Sequence, residues 1–291
     1  MTSLLRVEMR RLVSRRLFRV LTLLVLLGFA VAGVWVFIVS DDSPHALRRA
    51  EQDRQRLLAE CERGFEEAGP QSQPPEGYDD ASSFCRDQEF VPDPRFNYAF
   101  MGEIVVSVGI PFIMLGWLVG ASFVGADWHN RTLTSTLTWE PRRIRLLSTK
   151  TLALSIVVFV WMALLGIGLS AALYPAAAFE GITATVDAEA WREHAIAILR
   201  VGGATTFAAW LGFALAVVGR NTAAALGVGF VYLAIVENLI RGFRPHWNDW
   251  LIGDNLGRFL VGTDRAALLL VAYTAALLLV AAFVFKTREI A

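Results

Sequence analysis

Residues 17–39 read LFRVLTLLVLLGFAVAGVWVFIV, an apolar run interrupted by a single charge, Arg19. About 30 Å of bilayer hydrocarbon, at a rise of 1.5 Å per residue, needs about 20 such residues to be crossed as a helix. The run is too long for the hydrophobic core of a secretory signal, and no A-x-A-like cleavage site precedes Asp41-Asp42. It reads as a retained membrane span. Working outward, five more stretches satisfy the same test: 103–126, 150–179, 195–219, 221–240 and 266–285. Gly and other small residues recur in them (Gly116, Gly120, Gly166, Gly168, Gly202, Gly203, Gly227, Gly229), as in membrane helices that approach one another closely. The expected fold is an all-α polytopic membrane protein with six transmembrane helices, one domain over 1–291. A very apolar soluble bundle is the alternative, and six separate runs of this length argue against it.

Composition agrees. The 291 residues are 55% hydrophobic and 19% charged, against about 25% charged for a soluble domain. Lys+Arg and Asp+Glu both number 27, so there is no basic excess to hold nucleic acid. The charge is segregated. Arg6, Arg10, Arg11, Arg15, Arg16 and Arg19 crowd the N-terminus; Arg131, Arg142, Arg143, Arg145 and Lys150 lie between spans two and three; Lys286 and Arg288 end the chain. With six spans these fall on one side, which the positive-inside rule makes cytoplasmic, with both termini inside. Arg241, Arg244, Arg258 and Arg265 fall on the other side and dissent from the rule.

Outside the spans, residues 1–16 alternate apolar and basic groups with helical period, as in an amphipathic helix lying in the membrane interface, a disordered basic lead-in being the alternative. Residues 40–102 are acidic and read as a small helical extracytoplasmic cap: Ser43-Pro44 opens a helix, Gly69-Pro70 stops it, and QSQPPEGYDDASS has linker chemistry. The only cysteines, Cys61 and Cys85, fall here. An oxidising compartment favours a disulfide between them, contributing about 3 kcal/mol through loop closure; two free thiols are the alternative, and His45 alone is too little for a metal site. Residues 241–265, rich in Trp and polar groups, read as an outer interfacial or re-entrant helix, with a substrate exit lip as the second reading.

Chemistry-bearing motifs are scarce. There is no G-x-x-x-x-G-K-[ST], H-E-x-x-H or G-x-S-x-G, and His45, His129, His194 and His246 are scattered. Ser170 reads as a packing serine without a partnered histidine. Glu237, near the end of span five, is a candidate pathway or gating residue because ionisable groups in membranes are usually functional; Arg241, four residues on, offers a plain helical ion pair instead. Arg200 reads as a boundary residue snorkelling to the headgroups.

The most informative segment is GADWHNRTLTSTLTWEPRRIRLLSTKTLAL, residues 125–154. Asp127 can cap a short helix and Pro141 can start a second, together presenting a surface across the span ends. Here the chain resembles the permease subunits of ABC-2-type ABC transporters, in Gly125-Ala126-Asp127-Trp128, Arg131-Thr132, Leu137-Thr138, Pro141-Arg142-Arg143 and Lys150. The family has glutamate where Asp127 stands and glycine where Arg131 stands. The segment VPDPRFNYAF, residues 91–100, is similar to that of several actinobacterial members. The resemblance covers the whole chain in architecture but only about 30 residues in motif. It implies a non-catalytic subunit of an ATP-driven exporter in the bacterial plasma membrane. Its partners would be a second permease copy, membrane lipid and two copies of a separate ATP-binding subunit, which bind the ATP and Mg. It also implies a cytoplasmic coupling segment at 127–149, with Asp127, Trp128, Arg131, Thr132, Leu133, Pro141, Arg142 and Arg143 meeting the ATPase. The cargo class is a drug, antibiotic, lipid or other amphipathic molecule. A non-transporting scaffold or signal transducer is the alternative, and an intramembrane enzyme a weaker one.

Overall fold

The computed structural model describes residues 2–68, 74–75, 78, 80–88, 91–130, 132, 138, 142–184 and 186–287. Six helices in it are long and apolar enough to cross a membrane: Arg16–Val39, Gly109–His129, Arg143–Glu180, Ala188–Gly219, Thr222–Phe243 and Asp264–Thr287. That is the make-up of a multi-pass membrane protein. In chain order the helices are α1 (Thr2–Ser14), α2 (Arg16–Val39), α3 (Pro44–Ala68), α4 (Ala81–Asp87), α5 (Met101–Ser107), α6 (Gly109–His129), α7 (Arg143–Glu180), α8 (Ala188–Gly219), α9 (Thr222–Phe243), α10 (Ile252–Val261) and α11 (Asp264–Thr287). Short 3-10 turns cover Tyr98–Phe100 and Pro245–Trp250, and Tyr232–Val236 within α9 is π-helical.

The element ends follow local chemistry. α8 begins at Ala188, earlier than the apolar run at 195 suggests, because Asp187 accepts a hydrogen bond from the Ala190 amide and caps it. Asn221 caps α9 the same way through the Ala223 amide. The second apolar stretch is two helices rather than one, divided at Val108. Pro111 explains the division: it has no N–H for the Ser107 carbonyl, and its ring crowds that carbonyl.

The chain forms two compact units. The first comprises residues 1–29, 100–170 and 187–291. Its centre is the packing of α6 on α8, where backbones nearly touch. A methyl group on Gly116 would meet the main chain of Thr205, and one on Gly120 that of Ala209. This Gly-x-x-x-Gly spacing puts both gaps on one face of α6, the close approach that small residues permit in membrane helices. Around it, Phe123, Leu146, Leu154, Leu211, Phe213 and Leu270 are buried.

The second unit comprises residues 30–99 and 171–186. Gly33 lets α2 approach the Ala172 carbonyl of α7. Two residues, Phe96–Asn97 (β1), pair in parallel with Gly181–Ile182 (β2); apart from this short pairing the described fold is helical, in keeping with the all-α expectation. The Ser40 hydroxyl donates to the Glu180 carbonyl and accepts from the Phe96 amide, tying the same place together. The α3 helix starts after Ser43, whose side chain accepts from the Ala46 amide. The Asp80-Ala81 end of the segment read as linker instead opens α4, with a reciprocal capping box between Asp80 and Ser83. Cys61 of α3 and Cys85 of α4 are joined in a disulfide, Cα–Cα 6.0 Å, and Phe84 packs edge-on against Phe65 and Tyr78. These contacts stand in for a hydrophobic core, since α3 buries no residue.

Candidate functional site

Asp127 lies in the last turn of α6, where the negative end of the helix disfavours a carboxylate. Two cations compensate. Arg15, the link between α1 and α2, donates to Asp127 Oδ1 at 2.8 Å, and Lys150 of α7 donates to Oδ2 at 2.8 Å. Lys150 also donates to Glu8 Oε2 of α1 at 2.7 Å. Arg15 holds the Ser122 carbonyl at 2.7 Å. Beneath the cluster Phe123 presents its ring to both cations, 4.8 Å from Lys150 Nζ and 5.2 Å from the Arg15 guanidinium carbon. Glu8 and Lys150 are buried at 0% and 1% exposure, so neither charge is stabilised by bulk water. Inside the cluster two carboxylates are balanced by Arg15 and Lys150, with the half-exposed Arg11 a third cation 3.3 Å from Glu8 Oε1, and such pairing is the condition under which buried charge is tolerated.

The cluster is a three-way joint of α1, α6 and α7. Asp127 is inside the fold, with Arg15 and Lys150 on its carboxylate and Thr132 3.3 Å from it; the short helix it is expected to cap lies outside the described residues. Trp128, next in sequence, turns its ring edge-on to Phe285 of α11 at 6.2 Å, with the Arg220 guanidinium 5.1 Å over its face. The Trp128 indole N–H is buried and meets no acceptor among the described residues. Arg143 donates to the Phe285 and Lys286 carbonyls, so it closes the C-terminal end of α11 as a basic group should. Arg142 is exposed. Arg131, Leu133 and Pro141 lie outside the described residues. The structure thus gathers Asp127, Trp128, Thr132 and Arg143 at one end of the α6–α7–α11 packing.

Glu8 and Arg15 are not among the sequence-level site candidates, and Lys150 enters there only as a basic residue and as part of the family resemblance. A signal existed. Glu8 is the one carboxylate before Asp41, set in a strongly basic helix, and Lys150 is one of two lysines in a chain that otherwise uses arginine. Glu8, Leu12 and Arg15 also share a helical face by spacing.

Glu237 is buried at 1% exposure. Its Oε1 accepts from the Gly253 amide at 2.8 Å, and Arg241 approaches Oε2 at 3.3 Å while binding Asp254 at 2.6 Å. The carboxylate therefore closes the N-terminal turn of α10, where a negative charge is favoured. This geometry supports the ion-pair reading and adds the helix cap to it. Three of the four dissenting arginines have carboxylate partners: Arg241 pairs with Asp254, and Arg258 and Arg265 share Asp249. Arg258 hydrogen-bonding holds the Asp249 carboxyl below its ordinary range. Arg200 does not simply snorkel; it reaches the Val261 carbonyl at the end of α10.

Ser170 does meet a histidine: its hydroxyl is 2.8 Å from His194 Nε2, between α7 and α8, and both residues are buried. The same hydroxyl lies 2.8 Å from the Gly166 carbonyl, to which it donates. Which of the two donates in the Ser170–His194 pair depends on the histidine tautomer. The contact is a buried hydrogen bond between α7 and α8. Among the described residues no group of three or more His, Cys, Asp or Glu side chains could hold a metal ion.

No protein-family model matches the chain, and a search of the curated proteins returns no match.

Proposed function

We propose that the chain is the membrane subunit of an ATP-driven exporter of the ABC-2 type, pairing as a dimer and coupled to a separate ATP-binding subunit. The observation that carries this reading is the buried Glu8–Lys150–Asp127–Arg15 joint. It fastens the amphipathic N-terminal helix to the ends of α6 and α7, at the segment where the resemblance places coupling. A soluble subunit pushing on α1 or on the 127–149 connection would move α6 and α7 with it, because separating the joint strands buried charges. Nucleotide can drive the membrane part only through contacts that differ between its two states, and a rigid joint converts such a contact into helix displacement. Arg142, exposed just before α7, is available to the partner; Asp127 acts by positioning. In this topology both termini are cytoplasmic, residues 40–102 form an external cap closed by Cys61–Cys85, and cargo is amphipathic.

The test is purification of the tagged full chain from its native membrane. An ATP-binding-cassette protein should co-purify, and Arg142→Glu should weaken its retention while insertion and thermal stability stay unchanged. A preparation with no ATPase, alongside a neighbouring reading frame that encodes none, would sink the proposal.

A further inference from the structure

The α1 helix has a second working face. Glu8, Leu12 and Arg15 turn toward the buried joint, whereas Arg6, Met9, Arg10 and Val13, spaced at three and four residues, share another side of the helix. That side lines a groove of about 620 Å³ against α7, completed by Phe18, Ile156, Val157, Val160, Trp161 and Leu164. The floor is built and rigid. The Phe18 and Trp161 rings lie 4.8 Å apart, both residues are buried, and the Trp161 indole donates to Thr22 at 3.0 Å. The wall opens outward: Ile156, Val160 and Leu164 are exposed large apolar side chains, and along α7 they run about 12 Å at 1.5 Å per residue. At the mouth stand Arg6 and Arg10, one turn apart and exposed; neither has an ion pair or side-chain hydrogen bond with any described residue. Their neighbours Arg11 and Arg15 are already paired with Glu8 and Asp127.

An apolar trough ending in two guanidinium groups that no described residue pairs is complementary to one kind of molecule, an acyl chain carrying an anionic head. Guanidinium groups bind phosphate oxygens as planar forks, and basic pockets beside membrane helices are where anionic headgroups settle. We infer that the groove between α1 and α7 is a binding site for an anionic phospholipid, its phosphate between Arg6 and Arg10 and an acyl chain along Ile156, Val160 and Leu164 over the Phe18–Trp161 floor. The bound lipid would brace α1 from the side away from the charged joint. The site needs only that α1 lie at a membrane surface, so it stands whether or not the chain transports anything.

Native mass spectrometry of the delipidated full chain tests this, with phosphatidylglycerol and phosphatidylcholine of matched chains as probes. Phosphatidylglycerol should be retained more tightly. Arg6→Gln/Arg10→Gln should lower its affinity about 25-fold, about fivefold per arginine, with phosphatidylcholine unchanged. The charge-matched control Arg16→Gln/Arg19→Gln should lose little, and Arg6→Lys/Arg10→Lys should keep most of the preference. Val160→Trp should displace the lipid with both arginines intact. Excess inorganic phosphate should compete poorly, because it lacks the chain. Equal loss in the two arginine pairs, displacement by phosphate alone, or an unchanged lipid preference with altered oligomeric state would overturn the site; the last would make the groove a seat for a second copy of the chain.

Discussion

Replacing Lys150 with methionine removes one ammonium and keeps most of the side chain's volume. Lys150 Nζ stands 2.7 Å from Glu8 and 2.8 Å from Asp127. At an effective dielectric of about 20, each contact is worth about 6 kcal/mol of Coulomb attraction before desolvation is subtracted. What the variant loses is smaller, because the lysine's own desolvation cost disappears with it, but Glu8 is left fully buried with only the half-exposed, solvent-screened Arg11 at 3.3 Å. Breaking a buried pair by removing one partner costs about 3–5 kcal/mol, and Lys150→Met is expected within that range. Glu8→Leu/Lys150→Met should recover most of the loss, since it removes the stranded carboxylate and leaves Arg15 paired with Asp127. A coupling of about 2 kcal/mol between the two positions is expected from the cycle. Graded unfolding in mixed detergent micelles gives the energies, and hydrogen exchange over residues 2–14 reports whether α1 is the element released. A single variant within about 0.5 kcal/mol of the parent, the range of ordinary surface changes, would refute the joint. So would single losses that simply add in the double variant.

Reducing Cys61–Cys85 should cost about 3 kcal/mol of local stability and make residues 44–87 sensitive to protease at reductant concentrations that leave the six long helices intact; equal digestion with and without reductant would contradict this. Glu237→Ala should destabilise by about 2 kcal/mol, by stranding the Gly253 amide and freeing Arg241, and should speed amide exchange at 252–255. Glu237→Gln should fall between this variant and the parent, and faster exchange confined elsewhere would remove Glu237 from the cap. Asp80 accepts from the Ser83 amide, and these hydrogen bonds hold its carboxyl below the ordinary 3.8. A carboxyl lowered on folding contributes stability that is present above 3.8 and lost as pH falls through the lowered folded value. Exchange protection over residues 81–87 should therefore fall in that acid window, and Asp80→Asn should flatten the dependence; an unchanged profile would reject the cap as its source.

The helices were legible because each span must bury its backbone hydrogen bonds within itself. The apolar runs at 17–39 and 266–285 thus map directly onto α2 and α11. Where interruption was a matter of one residue's geometry, as at Pro111 and Asp187, the boundary moved. The candidate site was legible only in part. Asp127 stood out by its place between an apolar run and a basic one, but nothing in residues 125–154 says that its partner is Arg15 rather than solvent or another protein. Glu8 is 142 positions from Lys150, and no local rule connects them.

By itself, then, the sequence determined a helical chain with six stretches long and apolar enough to cross a membrane, arginines gathered in a few blocks and both cysteines in one acidic segment. Those are properties of composition and period, which a helix expresses without its neighbours. The tertiary structure decided which charges meet. It buried Asp127 in a charge-paired joint, spent Glu237 on the start of α10, set Ser170 against His194, and left Arg6 and Arg10 without a partner among the described residues beside an apolar groove. The reason is that a charge's role depends on what lies within a few ångströms of it once water is excluded, and that distance is set by packing between helices far apart in the chain.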